Sequence, residues 1–215
     1  MKTQAIVLLG LVGLAVLGLL VWLFFLKGPD LRPYLGLKEP RARTMGPERV
    51  LEVEFSGPAD TAIPQAFGQL FKTYYSLKGS PKGPAMKPPK ARYRIPADSG
   101  PGAEERLREF KNHPWTGSVA IPLPDSVELP AEKAGAGGAV ARVGTWDYGE
   151  VAEILHLGSY DTEPATIQRL EDFMKAKGLK PIGDHEEEYL KGPGMPLVSP
   201  KDYWTIIRYR VAKAD

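Results

Sequence analysis

Two segments of this chain, about a hundred residues apart, follow the same order of strand, turn and helix. Residues 57–61 align without a gap with residues 158–162, and glycine, aspartate and threonine match between them. The aspartate or the threonine that closes each segment is a typical helix N-cap. Two such copies predict an internally duplicated α+β domain. The alternative is a chance match, because capped helices often follow strands.

The apolar pattern predicts a strand before each turn and a helix after it. Leu51, Val53 and Phe55 alternate before the first turn, which is typical of a half-buried strand. An apolar stretch at 151–157 precedes the second turn. Helical spacing follows in both copies and ends at a glycine. The two helical sets are Ile63, Phe67, Leu70, Phe71 and Tyr74, then Ile167, Leu170 and Met174.

Each helical segment is followed by two more strand-like stretches. These are residues 91–95 and 117–121 in the first half, and residues 182–190 and 203–211 in the second. Each half therefore follows the order β-α-β-β. The predicted fold class is α+β, with one joined antiparallel sheet and both helices packed on the same face. The other face, or the seam between the halves, is left for a ligand.

Residues 5–26 form an apolar run that contains no charged side chain. As a helix these 22 residues extend about 33 Å, close to the ~30 Å hydrocarbon core of a bilayer. The alternative is a cleaved signal peptide, whose apolar region is shorter and is followed by small residues. Here the run stays bulky from Trp22 to Leu26. We therefore expect residues 1–27 to be a single-pass anchor that contacts the lipid bilayer through residues 5–26.

Residues 28–47 are rich in glycine and proline and show no apolar period. This composition predicts a linker between the anchor and a folded domain at 48–215. The side of the membrane that holds the domain stays open. Lys2 favours an N-terminus on the inside, whereas the basic residues after the apolar run favour the opposite orientation. Those residues are Lys27, Arg32, Lys38, Arg41 and Arg43.

Composition excludes several classes of function. The 28 lysine and arginine residues are nearly balanced by 26 acidic ones, so no basic surface and no nucleic-acid partner is expected. The absence of cysteine removes disulfides, thiolate nucleophiles and zinc–thiolate sites. No histidine and carboxylate cluster has the spacing of a metal site, and no phosphate loop or nucleophile motif occurs. The sequence therefore predicts no cofactor.

The order of motifs in the C-terminal half resembles that of a known family. Residues 150–158, Glu-Val-Ala-Glu-Ile-Leu-His-Leu-Gly, continue into Ser-Tyr-Asp, and Glu-Glu-Tyr-Leu follows at 187–190. This is similar to the gyrase-inhibitor-like small-molecule-binding domain, also called the bacterial transcription-activator effector-binding domain, whose fold the SOUL haem-binding proteins share. The family's turn reads His-x-Gly-Pro-Tyr, and here serine replaces the proline. The resemblance covers residues 140–213 and, more weakly, 48–125. Together with the apolar run at 5–26, this resemblance to a bacterial family leads us to expect a single-pass protein of the bacterial inner membrane.

A run of three glutamates contains the first candidate site residue. Strand alternation places His185, Glu187 and Tyr189 on one face of a strand, and residues 186, 188 and 190 on the other. The resemblance implies that Glu187 is the pocket glutamate. A carboxylate beside aromatic rings attracts a flat cation. The alternative is a strand that carries three solvated glutamates.

Aromatic residues crowd the C-terminal half and supply the other candidate ligand contacts. Tyr160 is the strongest candidate because it lies in the turn that the family uses, and Tyr189, Trp146 and Trp204 complete the predicted pocket. The alternative for each of them is a place in the sheet core. His156 lies among apolar residues and is interpreted as a core histidine. A haem ligand and a catalytic base are the alternatives for it.

Three functions are compatible with these features. The first is a membrane-anchored sensor or sequestration protein that binds a hydrophobic or cationic aromatic small molecule in a pocket carrying one glutamate. The second is a hydrolase of small strained hydrophobic compounds, as the resemblance implies for some family members, and it needs a second acid or base group. The third is haem binding in the SOUL manner. The identity of the ligand and any protein partner stay open.

Overall fold

The computed structural model describes Gly18 and residues 30–94, 114–131 and 140–214. Apart from Gly18, the expected membrane segment at 5–26 lies outside these residues. None of the helices that are described is long and apolar enough to cross a membrane.

The described residues form a mixed α+β structure with a large antiparallel sheet and two α-helices. The helices are α1 (Ala59–Ser76) and α2 (Glu163–Ala176). The strands are β1 (Arg41–Met45), β2 (Glu48–Gly57), β3 (Lys90–Tyr93), β4 (Trp115–Pro122), β5 (Ala141–Trp146), β6 (Gly149–Leu157), β7 (Leu179–Pro181), β8 (His185–Lys191) and β9 (Trp204–Lys213).

The strand order is β1-β6-β9-β8-β3-β4-β2-β5, and β7 pairs with β9 outside this path. Within each half the strand before the helix pairs with the last strand of that half, which in turn pairs with the middle one. This arrangement gives β2–β4–β3 in the first half and β6–β9–β8 in the second. The halves join through the antiparallel pair β3–β8, which we call the seam. The two halves therefore have the same connectivity, as a duplication predicts.

Each half also receives an edge strand from the other half. β1 precedes β2 in the chain but pairs with β6, and β5 precedes β6 but pairs with β2. Only two residues join β1 to β2, although these strands lie at opposite parts of the strand order. The sheet must therefore curl until its ends approach each other. Val50 of β2 and Val151 of β6 accordingly belong to the same buried cluster.

The expectation of a linker at 28–47 is wrong for most of that segment. Residues Arg32–Lys38 form a 3-10 helix, and β1 is a full member of the sheet. Leu31, Tyr34 and Leu37 recur every three residues, which is the period of a 3-10 helix. Leu37 is buried against side chains of β6, β8 and β9, namely Leu155, Leu190 and Ile206. The glycine and proline content concealed this short period.

Both helices pack on one face of the sheet. Leu70 and Tyr74 of α1 lie in one buried cluster, and Ile167, Leu170 and Met174 of α2 lie in a second. The expected side-chain caps are absent at these two helix starts. Helix α1 begins at Ala59 after Pro58, and the hydroxyl of Thr162 donates to the Ser159 carbonyl at 2.7 Å instead of capping α2.

Candidate functional site

The register of the sheet places Glu187 at the centre of the helix-covered face. Glu187 of β8 pairs with Ala91 of β3 on one side and with Ile207 of β9 on the other. Paired residues in an antiparallel sheet point to the same face. Ala91 belongs to the core beneath α1, and Ile207 belongs to the core beneath α2. Glu187 therefore lies between the two halves, and it is only 8% exposed.

Two chains of hydrogen bonds end on the Glu187 carboxylate. The Tyr189 hydroxyl donates to Oε2 at 2.7 Å, and the Tyr93 hydroxyl lies 2.6 Å from the Tyr189 hydroxyl. On the other side, Nε2 of His185 lies 3.0 Å from Oε1, and the Tyr209 hydroxyl lies 2.7 Å from Nδ1 of the same ring. When Nε2 of His185 donates to Glu187, a neutral ring accepts from the Tyr209 hydroxyl at Nδ1. The Glu187 carboxylate is thus contacted from both sides, by a tyrosine hydroxyl and by an imidazole.

The charge of Glu187 has no strong cationic partner. No lysine or arginine among the described residues lies within ion-pair distance of this carboxylate, and His185 is its one basic neighbour there. Burial raises the pKa of Tyr93 and of Tyr189 well above 10, and the negative charge of Glu187 adds to the effect. Both tyrosines therefore remain protonated donors at neutral pH. A buried carboxylate with this environment is costly unless a ligand compensates its charge.

A second buried carboxyl group, Glu163, stands at the first residue of α2. It is 4% exposed, and its Oε1 atom has no hydrogen-bond partner in the described part of the chain. Burial and then repulsion by Glu187 raise the pKa of Glu163 to about 10. Glu163 is therefore a neutral carboxylic acid at pH 7, and its neighbour Glu187 is a second buried carboxyl group. Thr205, next to Tyr189 in the register, has a buried hydroxyl that likewise lacks a partner there.

Aromatic rings from both halves surround these carboxyl groups. The Tyr160 ring lies 6.1 Å from that of Tyr189 and is 37% exposed, which makes it the outermost member. Phe67 of α1 packs edge-on against Tyr189 at 5.8 Å, and Trp115 packs against Tyr93 at 5.3 Å. We call this constellation the seam site. Its members are Tyr93, Tyr160, Glu163, His185, Glu187 and Tyr189.

The structure separates the predicted residues into two groups. Glu187, Tyr160 and Tyr189 meet in the seam site, whereas Trp146 and Trp204 lie on the opposite face of the sheet. The Trp146 indole donates to Glu52 at 2.8 Å, and its ring lies under the guanidinium of Arg92 at 4.0 Å. Trp204 packs beside the 3-10 helix in the cluster that contains Leu37. The surroundings of Glu187 therefore include neither tryptophan.

The opposite face carries alternating charges across five adjacent strands. One register row runs from Arg41 on β1 through Glu153, Arg208 and Glu186 to Arg92 on β3. The successive ion pairs are 2.9, 2.9, 2.6 and 2.8 Å long. We call this row the arginine–glutamate ladder. It shows that the alternation at 185–190 was predicted correctly, while the interpretation of solvated glutamates was wrong, since Glu186 is 3% exposed.

The hydrogen bonds of His156 are those of a histidine with a structural role. Its Nε2 donates to the Ser159 carbonyl at 3.1 Å, so Nδ1 accepts from the Thr166 hydroxyl at 2.9 Å. Burial lowers its pKa, and hydrogen bonding to Ser159 partly offsets this. The neutral ring ties the turn after β6 to α2, as a core histidine does, and both ring nitrogens are engaged within the protein.

Solved structures with the same fold are distant in sequence. A conserved protein from Listeria innocua has a TM-score of 0.63 at 18% identity, over 85% of this chain and 97% of that chain. A hydrolase from Listeria innocua has a TM-score of 0.61 at 16% identity, over 86% and 100%. The C-terminal domain of EcmrR has a TM-score of 0.56 at 12% identity, over 82% and 98%. No protein-family model and no curated protein matches the sequence.

These likenesses show a shared fold. They are consistent with the gyrase-inhibitor-like fold that the sequence resemblance implied. The residues that the sequence did not single out are Tyr93 and Glu163. An acidic residue in the first turn of a helix is ordinary, so no sequence pattern distinguishes Glu163.

Proposed function

We propose that the chain is a membrane-anchored protein whose seam site binds a small molecule with an aromatic body and a positive charge. The observation that carries the proposal is the Glu187 carboxylate, buried among tyrosine rings and without an arginine or lysine partner in the described structure. A ligand cation would compensate this charge, and the rings would contact its apolar surface. Sensing and sequestration both require only this binding step.

The face of the sheet that carries the arginine–glutamate ladder, which we call the ladder face, treats its buried glutamates differently from Glu187. Glu153 and Glu186 are as deeply buried as Glu187, but each is paired with at least two arginines. The same sheet therefore pairs buried glutamates with arginines on one face and leaves Glu187, on the other face, without an arginine or lysine partner among the described residues. Because an unpaired buried charge destabilises the fold, its retention at the seam supports a functional role.

Hydrolysis is the second candidate, and Glu163 is the observation that favours it. A hydrolase needs an acid and a base, and the seam site holds two buried carboxyl groups, of which Glu163 is neutral at pH 7. In this reading Glu187 accepts a proton from the attacking water while Glu163 donates a proton to the atom that leaves. The net result is addition of one water across the bond that breaks. One of the similar structures is that of a hydrolase.

Replacing Glu187 with glutamine should weaken the binding of a cationic aromatic probe such as tetraphenylphosphonium by about 1.5–3 kcal/mol, the scale of a hydrogen bond to a charged group. Glutamine keeps the shape of the side chain and removes its charge. Quenching of tyrosine and tryptophan fluorescence measures the affinity. The matched control is Glu128→Gln, an exposed position away from the seam, which should bind the probe like the parent chain.

Two outcomes of this experiment separate the candidates. If Glu187→Gln binds the probe as tightly as the parent chain, the charge-based proposal fails. If binding survives but turnover of a strained electrophilic substrate is lost, the hydrolase candidate replaces simple binding. Glu186 is unsuitable as a control, because its removal would disrupt the ladder.

The membrane anchor is part of the proposal and has its own test. Removing residues 1–27 should leave a folded protein that stays in the supernatant after ultracentrifugation, because the described packing starts at the 3-10 helix over Arg32–Lys38. The full chain should sediment with membranes after a high-salt wash. Sedimentation of the shortened chain under the same wash would contradict a single anchor at residues 5–26.

A further inference from the structure

A polar cavity of about 200 Å³ opens on the ladder face, across the sheet from the seam site. Its volume is below the ~300 Å³ typical of sites for drug-sized ligands, so it suits a smaller molecule. Charged side chains dominate its lining. They are Arg92, Arg208, Arg210, Asp184 and Glu186, with Tyr148 beside them.

Some of these charges are already neutralised within the protein. Arg208 directs its three nitrogens to Glu153, Glu186 and Glu188. Glu186 also accepts from Nε of Arg92 at 2.8 Å. Arg208 and Glu186 therefore form the wall of the cavity and have little capacity left for a ligand.

Three groups of the lining retain free hydrogen-bonding capacity. Nη2 of Arg92 is buried and has no partner within the described structure. Arg210 donates through Nε to the Tyr148 carbonyl at 3.1 Å, and its two terminal nitrogens have no described partner. Asp184, which is half-buried, has neither a hydrogen bond nor an ion pair with any described residue. The cavity therefore holds an unpaired cation and an unpaired anion that do not pair with each other.

We propose that this cavity binds a small zwitterion of the amino-acid type. Its carboxylate would accept from the terminal nitrogens of Arg92 and Arg210, and its ammonium group would donate to Asp184. A simple anion would leave Asp184 uncompensated, and a simple cation would be repelled by Arg210. A molecule with both charges satisfies the whole lining.

Isothermal titration calorimetry on the full chain in detergent tests the site with glycine, 4-aminobutanoate and 6-aminohexanoate. The three probes differ in the separation of their charges, and acetate and methylammonium are the single-charge controls. We expect at least one zwitterion to bind at least about tenfold more tightly than either control, as one extra charge-assisted hydrogen bond provides. Equal affinity for acetate, or no heat with any zwitterion at millimolar concentration, overturns the proposal.

Two variants assign the binding to this cavity. Asp184→Asn removes the ammonium partner, and Arg210→Gln removes the carboxylate partner; each should weaken the zwitterion at least about tenfold. Asp184 has no bond within the described fold, so its variant should keep the melting temperature of the parent chain even if Arg210→Gln does not. Asp125→Asn, at an exposed turn, should leave binding unchanged. Unchanged binding by Asp184→Asn contradicts the assignment.

Discussion

Replacing Arg208 with methionine should lower the free energy of unfolding by about 3–5 kcal/mol at pH 7, the scale on which removing one partner of a buried ion pair destabilises a protein. The Arg208 side chain is 2% exposed and binds three glutamates from β6 and β8. Methionine fills part of the volume but leaves those carboxylates with fewer donors. Urea denaturation of the chain, followed by circular dichroism, measures the loss.

An exposed arginine beside the ladder provides the control. Arg43 binds the same glutamate, Glu153, at 2.6 Å, but its own side chain is 41% exposed. Its replacement with glutamine should cost less than about 1 kcal/mol, because water compensates a partly exposed charge. Equal losses for Arg43→Gln and Arg208→Met would show that burial does not determine the strength of the ladder.

The ladder also predicts the response to acid. Burial alone would raise the pKa of Glu153, but hydrogen bonds from Arg43 and the charge of Arg208 outweigh it and lower the pKa to about 2. Since the usual value is 4.5, this contribution is fully present above pH 4.5 and is lost as the pH falls towards 2, which amounts to about 3 kcal/mol. Arg208→Met should show a smaller loss over that interval.

Replacing Glu163 with glutamine should stabilise the protein by about 3 kcal/mol at pH 7. The pKa of Glu163 is raised from 4.5 to about 10 by burial and by Glu187, so the unfolded chain ionises this group while the folded chain does not. Each pH unit between 4.5 and 7 therefore costs the folded state about 1.4 kcal/mol. Glutamine has nearly the same shape and cannot ionise, so the cost disappears.

Comparison of the two chains across pH tests this explanation. Below pH 4.5 the glutamate is neutral in both states, so parent and variant should be equally stable. The difference should then grow as the pH rises towards 10. A variant that is less stable than the parent at pH 7 would contradict a neutral Glu163. If stabilisation comes with loss of turnover, the acid has been retained for chemistry at the expense of stability.

Local periodicity was sufficient to predict both helices and most strands. The alternation of Leu51, Val53 and Phe55 predicted β2, and the residues around the glutamate run predicted which side chains share a face of β8. The strands β1 and β5 were missed because their pairing is between the halves, and no local pattern reports which distant strand accepts them. The sequence also could not show that α1 and α2 cover the face of Glu187 while the arginines cover the face of Glu186.

The two tryptophans of the predicted pocket lie away from Glu187 for a related reason. Whether Trp204 shares a face with Glu187 depends on the register between β8 and β9, which includes an irregularity between Tyr189 and Lys191. The position of Trp146 depends on the curl of the sheet, which brings its ring against the guanidinium of Arg92. Tyr160 and Tyr189 were identified by the family motif. A motif shared by a family reflects which residues lie together in its fold, and the pattern of one sequence does not contain that information.

The exchange of edge strands between the halves makes folding a concerted process. Arg41 meets Glu153 across 112 positions of sequence, and Arg142 meets Glu52 across 90. Such distant contacts give a high contact order, so folding should be slow and should not proceed half by half. An isolated half would lack an edge strand and expose its seam strand. Two copies of one half could pair as a symmetric, strand-swapped dimer. In that dimer each copy would supply the other's edge strand, and the two seam strands would pair with each other.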